Sequence, residues 1–121
     1  MRKLTTKEEE AMNHFWEKGP LCVREMLEFY DEPRPHFNTL STVVRTLEDA
    51  GFVGHQAEGK SYRYFARVSR ADYSQSTLQR VISKYFNNSC FSLVSALVKK
   101  EELSVDELKA LIAEVEKGGE S

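Results

Sequence analysis

The 121-residue sequence lacks any hydrophobic run approaching the roughly 20 residues that a membrane-spanning helix requires. Its first residues, Met1–Thr6, lack the apolar core of a signal peptide. The charged share of 30% and the hydrophobic share of 40% fit a well-hydrated globular domain with a core. These features predict a cytoplasmic protein without membrane insertion.

Signatures of metal sites and of catalysis are also missing. The only two cysteines, Cys22 and Cys90, and the three scattered histidines show no metal-ligand spacing. We interpret the cysteines as reduced thiols packed like small apolar residues, with a redox pair as the alternative. The sequence contains no Gly-Lys-Ser/Thr phosphate-binding loop, no dinucleotide-binding glycine pattern and no nucleophile elbow. We therefore expect no metal, no cofactor and no enzymatic activity.

An overall excess of positive charge is absent as well, because the formal net charge is −2. This value argues mildly against DNA binding, since neutralising phosphates supplies most of the affinity. The distribution of charge points the other way. Residues 33–67 contain five basic and three acidic side chains, whereas residues 1–32 contain five basic and eight acidic ones. The modest positive excess predicts weak DNA binding by a monomer through the middle segment.

The N-terminal third predicts two helices. Thr5 and Glu8 have the spacing of a capping box, and Gly19-Pro20 ends the first helix. Leu21-Cys22 is a candidate short strand before a second helix. The apolar stripes comprise Leu4, Ala11, Met12, Phe15 and Trp16 in the first helix, and Val23, Met26, Leu27 and Tyr30 in the second. We interpret Trp16 as a core anchor rather than a stacking platform.

A third predicted helix, starting near Asn38 as its N-cap, has an unusual outer face. Its inward stripe is Leu40, Val43, Val44 and Leu47. The outward side chains are short, mostly uncharged and hydroxylated, with one arginine: Thr39, Ser41, Thr42, Arg45, Thr46 and Asp49. Such side chains allow close approach to base edges and phosphates. The alternative is a surface helix built from poor helix formers.

A hairpin is predicted to follow the third helix. Gly51 stops the helix, and the segments 52–57 and 61–67 alternate like strands around a turn at Glu58-Gly59-Lys60. A helix followed by a basic, aromatic hairpin indicates a winged helix-turn-helix, a mainly α fold with a small β-hairpin wing. The candidate DNA-binding residues are Asn38, Thr39, Ser41, Thr42, Arg45, Thr46, Lys60 and Arg63.

The composition changes near residue 68, which predicts a winged-helix DNA-binding domain over 1–68 and a helical dimerisation domain over 69–121. Three short C-terminal helices carry more apolar surface than about fifty residues can bury alone. A second copy would cover this surface, and folding back onto the first domain is the alternative. The predicted dimerisation residues are Leu78, Val81, Ile82, Phe86, Phe91, Leu93, Val94, Leu97, Leu108, Leu111, Ile112 and Val115.

The order and spacing of these segments resemble the penicillinase-repressor (BlaI/MecI-type) family of bacterial winged-helix regulators, from about Leu4 to Lys117. The matching segments are Leu4-Thr5 with Glu8, Phe15-Trp16 with Gly19-Pro20-Leu21, Val23 to Leu27, Asn38 to Leu47, Gly51-Phe52-Val53, Gly59 with Tyr62-Arg63-Tyr64, Ser92-Leu93-Val94, and Glu101 to Ser104 with Glu107-Leu108. The resemblance implies a homodimeric repressor that covers a dyad-symmetric operator in double-stranded DNA.

The resemblance leaves the release signal open. Family members are released by proteolysis within the dimerisation helices after a membrane sensor detects a β-lactam, so a sensor-linked protease is an expected partner. The cleaved bond in well-known members joins Asn to Phe, where this chain has Ala96-Leu97. The clustered cysteines of copper-responsive relatives are missing. A winged-helix regulator gated by a small molecule and a protein-interaction adaptor without DNA binding are the alternatives.

Overall fold

The computed structural model describes residues 1–100, 102, 104–110 and 113, and it divides into two compact units, Met1–Ser76 and a second beginning at Thr77. Its elements are α1 (Thr6–Lys18), α2 (Val23–Leu27), α3 (Phe37–Asp49), β1 (Val53–Glu58), β2 (Ser61–Ala66), α4 (Arg70–Tyr85) and α5 (Cys90–Lys99). This order confirms the predicted mainly helical fold with a hairpin wing. The units divide inside α4, eight residues beyond the predicted domain boundary at residue 68.

The ends of α1 confirm the local signals in its sequence. The Thr5 hydroxyl accepts a hydrogen bond from the Glu8 amide at 3.2 Å, and the Glu8 carboxylate accepts one from the Thr5 amide at 2.8 Å. At the other end, Gly19 adopts a φ of +85°, which favours glycine. Trp16 is half-buried and donates from its indole Nε1 to the Val68 carbonyl at 2.9 Å. Trp16 is therefore a packing residue, as predicted.

Two helix boundaries in the first unit differ from the prediction. The second helix was expected to continue to Tyr30, but α2 ends at Leu27, after which the amides of residues 28–30 donate to carbonyls three residues earlier. The third helix was expected to begin near Asn38 as its N-cap. Instead His36 is the N-cap, and its carbonyl accepts the first helical bond from Leu40 at 3.0 Å. Asn38 thus lies within the first turn, because α3 starts almost immediately after Pro35.

The hairpin pairs residues 53–58 with residues 61–66 in an antiparallel register from Val53 opposite Ala66 to Glu58 opposite Ser61. Gly59, with a φ of +61°, and Lys60 form the two-residue turn. Leu21 bridges to Tyr64 through two backbone hydrogen bonds of 2.9 Å. This bridge confirms the predicted strand-like role of Leu21 and attaches the hairpin to the segment before α2.

The core of the first unit joins α1, α2, α3 and the hairpin. Phe52, Met12, Met26, Leu47, Val44 and Val53 are its largest fully buried side chains. Tyr73, in the first turn of α4, packs edge-on against Phe52, and its hydroxyl accepts a hydrogen bond from the Leu4 amide at 2.9 Å. Because Leu40, Val44 and Leu47 point inward, the opposite side of α3 lies at the surface.

The second unit has no fully buried residue among those described. Asn87 and Asn88 adopt positive φ angles of 50° and 62° after α4, which confirms the predicted stop there. The Ser89 and Ser104 hydroxyls accept amide hydrogen bonds from Ser92 and Glu107, at 3.1 Å each. Leu111, Ile112 and Val115, predicted as dimerisation residues, lie outside the described residues. Within the described part of the chain, no helix is long and apolar enough to cross a membrane.

Candidate nucleic-acid interface

The outer face of α3 is accessible along its whole length. Asn38, Thr39, Thr42, Arg45 and Thr46 are exposed. Asp49, also predicted on this face, is exposed, and Ser41 is half-buried. The helix therefore presents short polar side chains, one guanidinium group and, in its last turn, the Asp49 carboxylate on a surface that can enter a groove about as wide as an α-helix.

The threonines of this face use their hydroxyl protons within α3. Thr42 Oγ1 donates to the Asn38 carbonyl at 3.0 Å, and Thr46 Oγ1 donates to the Thr42 carbonyl at 2.9 Å. In this arrangement each hydroxyl can still accept a hydrogen bond through its lone pairs, and each side chain still carries a methyl group. Among the described residues, Arg45 makes one hydrogen bond, a long contact of 3.5 Å to Thr42 Oγ1, so nearly all of its guanidinium donors are available to a ligand.

A groove of about 350 Å³ connects α2, α3 and the hairpin. Its lining residues are Cys22, Val23, Arg24, Phe37, Asn38, Ser41, Arg45, Lys60, Ser61, Tyr62 and Tyr64. Three of these side chains are cationic, namely Arg24, Arg45 and Lys60, and none of the lining residues is a carboxylate. The fold thus gathers positive charge from three separate elements on one surface of a chain whose net charge is negative.

Arg63 was predicted to reach a phosphate from the wing, but its guanidinium makes ion pairs and a hydrogen bond within the chain. Its guanidinium pairs with Glu58, with Glu25 at 3.0 Å, and with the Pro20 carbonyl at 3.1 Å. The hydrogen bond to Glu58, followed by the charge of Glu25, raises the pKa of Arg63 above its ordinary value. In this position Arg63 ties β2 to the start of α2, while Lys60 at the hairpin tip stays exposed.

A second contact fixes the hairpin against the last turn of α3. His55 Nδ1 on β1 lies 2.5 Å from the Glu48 carboxylate, and the Tyr62 ring packs against the imidazole with centroids 4.5 Å apart. The wing is therefore anchored to both helices that border the groove. Anchoring of this kind lowers the entropy cost of presenting Lys60 and Arg45 together to one ligand.

Two residues of this surface, Arg24 and Phe37, were not predicted from the sequence. The guanidinium carbon of Arg24 lies 5.5 Å from the centre of the Phe37 ring, which is 44% exposed. Arg24 precedes Glu25 in a short amphipathic segment, so it resembled ordinary solvated charge. Its approach to Phe37 depends on how α2 packs against α3, and no local spacing in the sequence reveals that contact.

The predicted dimerisation residues of the second unit keep their apolar surface accessible. Leu78 is 48% exposed and Phe91 is 81% exposed. The other described members of the set are half-buried, namely Val81, Ile82, Phe86, Leu93, Val94, Leu97 and Leu108. Packing within the second unit therefore leaves apolar surface of α4 and α5 exposed to solvent.

Neither cysteine forms a disulfide, and the described residues contain no group of three or more metal-ligating side chains. Cys22 is half-buried at the N-cap of α2, where its amide donates to the Glu25 carboxylate at 3.0 Å. That amide bond is the main reason that the pKa of Glu25 is lowered.

Comparisons with known proteins match almost the full length of the chain. The model of the penicillinase repressor family matches residues 4–117. The methicillin resistance regulatory protein MecI of Mammaliicoccus sciuri is 28% identical over 110 residues, which cover 90% of this chain and 89% of the relative. MecI of Staphylococcus aureus strain N315 is 27% identical with the same coverage. The penicillinase repressor of Bacillus licheniformis is 20% identical over 90% of this chain and 86% of the relative.

Proposed function

Since the protein belongs to the penicillinase repressor family, as its sequence predicted, we propose that it is a homodimeric transcriptional repressor without catalytic activity. In this proposal each subunit inserts α3 into a major groove of double-stranded DNA. The two bound subunits cover a dyad-symmetric operator and block the promoter. A repressor of this kind works in the cytoplasm, where bacterial DNA lies.

The observation that carries the proposal is the groove beside α3, with three cations and no carboxylate in its lining. Arg45 can donate two hydrogen bonds to the acceptor edge of guanine or bind a phosphate. The hydroxyl lone pairs and methyl groups of Thr42 and Thr46 suit exocyclic amino groups and thymine methyl groups. Lys60 at the hairpin tip is proposed to bind the neighbouring backbone. Asn38, Thr39 and Ser41 complete the proposed contact surface of α3.

The role of Arg63 in this proposal is chiefly to position the wing. A direct phosphate contact, as predicted from the sequence, would require Arg63 to share its donors with Glu25 and Glu58. Those carboxylates already neutralise much of its charge. We therefore propose Lys60 as the main phosphate contact of the wing, and a phosphate contact by Arg63 stays a prediction.

Dimerisation is proposed through the second unit. The exposed apolar side chains of α4 and α5, with Phe91 foremost, would be covered by the same surface of a second copy. Two linked subunits then place their recognition helices about 34 Å apart, one turn of DNA. Linking the two half-sites raises the overall affinity above that of either subunit, so separating the subunits relieves repression.

Selection of bound fragments from random duplex DNA, followed by titration of the selected duplex, tests the proposal. Arg45→Ala should weaken specific binding by about 1–3 kcal/mol and relax discrimination between sequences. Arg34→Ala is the matched control, because Arg34 pairs with Glu32 at 3.7 Å and does not line the groove. If Arg45→Ala binds the selected duplex with unchanged affinity and discriminates between sequences as wild type does, Arg45 does not read a base. Affinity that does not fall with rising salt would favour the protein-interaction adaptor instead.

A regulator gated by a small molecule is the second candidate, and one observation favours it. A cavity of about 630 Å³ lies between α1, residues 29–35 and α3, within the size range of small-molecule sites. His14 and Tyr30 line it with ring centroids 4.6 Å apart, and Leu40 and Val43 line it from α3. A metabolite that raises the melting temperature of the protein, but not that of His14→Ala, would support this function.

Release by a sensor-linked protease stays a prediction for this chain. Ala96 and Leu97, at the position of the family's cleaved bond, lie within α5 and are half-buried. A protease would need this part of α5 to unfold locally before it could bind the bond in an extended form. Incubation with the co-encoded sensor protease, where the genome supplies one, would test cleavage directly by mass spectrometry.

A further inference from the structure

The charged groups around the groove differ in how many donors they have available. Arg63 is bound by two carboxylates, and Arg45 makes one long contact. Arg24 makes neither an ion pair nor a hydrogen bond within the described part of the chain. Its guanidinium lies over the Phe37 ring. An exposed arginine with all five donors unused is the form in which a guanidinium best binds an incoming phosphate.

The Phe37 ring gives this arginine a defined position. A guanidinium 5.5 Å from the ring centroid is within the range of a cation–π contact, which holds the planar group over the ring without using its N–H donors. Phe37 is also the first residue of α3 and is 44% exposed, so the ring would otherwise present apolar surface to water. The contact limits the rotamers of Arg24 and reduces the entropy that binding must remove.

We propose that Arg24 is a phosphate-binding residue of the DNA interface, held beside α3 by its contact with the Phe37 ring. The inference rests on the proposed DNA-binding function and extends it to α2. Arg24, Arg45 and Lys60 then contact the duplex from three elements around one groove. Arg24 contributes affinity that does not depend on base sequence, because its partner is the backbone.

Salt dependence of binding measures a phosphate contact directly. Each neutralised phosphate contributes about 0.9 to the slope of log affinity against log salt concentration. Losing one contact in each subunit should therefore reduce the slope by about 0.9 per bound subunit. Between about 50 and about 200 mM salt, the advantage of wild type over a variant without the contact should shrink by about 3.5-fold per bound subunit.

The experiment uses the full chain and two fluorescein-labelled duplexes, one of random sequence and one selected for binding. Arg24→Gln should lower affinity for both duplexes by a similar factor and reduce the salt slope, whereas Arg24→Lys should keep the wild-type slope. Lys18→Gln is the matched control. Lys18 also lies over an exposed aromatic ring, 4.9 Å from the centroid of Phe29, but outside the groove. Its removal should leave the slope unchanged.

A double-mutant cycle tests the role of the aromatic ring. Phe37→Leu should weaken binding several-fold in the wild-type background and have no further effect in the Arg24→Gln background. Phe29→Leu, the corresponding change at the control pair, should have no effect on DNA affinity in either background. If Phe37→Leu weakens both backgrounds equally, the ring does not act through Arg24, and that part of the proposal is wrong.

The outcomes separate this inference from the proposed function. If wild type binds both duplexes with a steep salt slope and Arg24→Gln has the same slope, the Arg24 contact is wrong and the repressor proposal stands. If Arg24→Gln loses affinity only for the selected duplex, Arg24 reads a base and the phosphate assignment is wrong. If wild type binds neither duplex, the proposed function fails and the inference fails with it.

Discussion

Glu8 gives the first unit a strong and testable dependence on pH. Its side chain is only 6% exposed, and its carboxylate accepts hydrogen bonds from Arg2 at 2.9 and 2.7 Å and from the Thr5 amide at 2.8 Å. The hydrogen bonds from Arg2 are the largest cause that lowers the pKa of Glu8 to about 2, against the opposing effect of burial. The charged form is therefore strongly favoured in the fold.

The two pKa values determine the size and direction of the effect. A value of 4.5 in the unfolded chain and about 2 in the fold corresponds to about 3 kcal/mol of folding free energy at neutral pH. Because the pKa is lower in the folded state, this stabilisation is complete above pH 4.5 and is lost as the pH falls towards 2. Glu8→Gln removes the titrating group, so the variant should be less stable at neutral pH and should approach wild type near pH 2.

Trp16 is the only tryptophan and lies in the first unit, so its fluorescence follows the unfolding of that unit alone. Urea unfolding of wild type and Glu8→Gln would be compared from neutral pH downwards, at one protein concentration because association adds to stability. Glu9→Gln is the matched control, since it removes the same charge from an exposed neighbour in α1. If the unfolding free energies of wild type and Glu8→Gln differ by the same amount down to pH 2, the ionised form of Glu8 does not stabilise the fold.

Three further predictions concern the dimer, the core and the hairpin. Phe91→Glu should shift the sedimentation coefficient to that of a monomer, whereas Phe29→Glu, at an exposed phenylalanine of the first unit, should not. Phe52→Ala should lower the unfolding free energy of the first unit in urea by about 3–5 kcal/mol, because Phe52 is 2% exposed. Gly54→Ala should cost about 1–3 kcal/mol in the same assay, because a Cβ there would clash with the Arg67 guanidinium and would lie 2.9 Å from Phe65 Cζ.

Features set by neighbours in sequence were predicted well. The Thr5–Glu8 capping box, the stop at Gly19 and the turn at Gly59 each depend on a few consecutive residues and their φ angles. The inward stripe of α3 follows from a period of 3.6 residues, and Leu40, Val44 and Leu47 are buried as that period requires. The exposed outer face of α3 could thus be anticipated before any coordinates were known.

Features set by contacts distant in sequence were not predictable in the same way. The apolar pattern of the second helix included Tyr30, but the chain leaves the helix at Leu27 and places the Tyr30 ring against His14 of α1. Arg63 was assigned to the wing surface, yet it meets Glu25, 38 positions away in the sequence. Tertiary packing determines where such side chains lie, and local sequence patterns do not predict it.

The negative net charge of the chain does not conflict with DNA binding, because the fold distributes its charges unevenly. Glu25, next to Arg24 in sequence, and Glu58, two residues before Lys60, are both paired with Arg63, and the Glu48 carboxylate on α3 contacts His55 Nδ1. Three carboxylates near the binding surface thus have partners within the protein, while Asp49 in the last turn of α3 is exposed. Arg24, Arg45 and Lys60 are exposed and have no ion pair within the described residues. A duplex approaching α3 would therefore meet a positive surface, since close charges outweigh distant ones screened by salt.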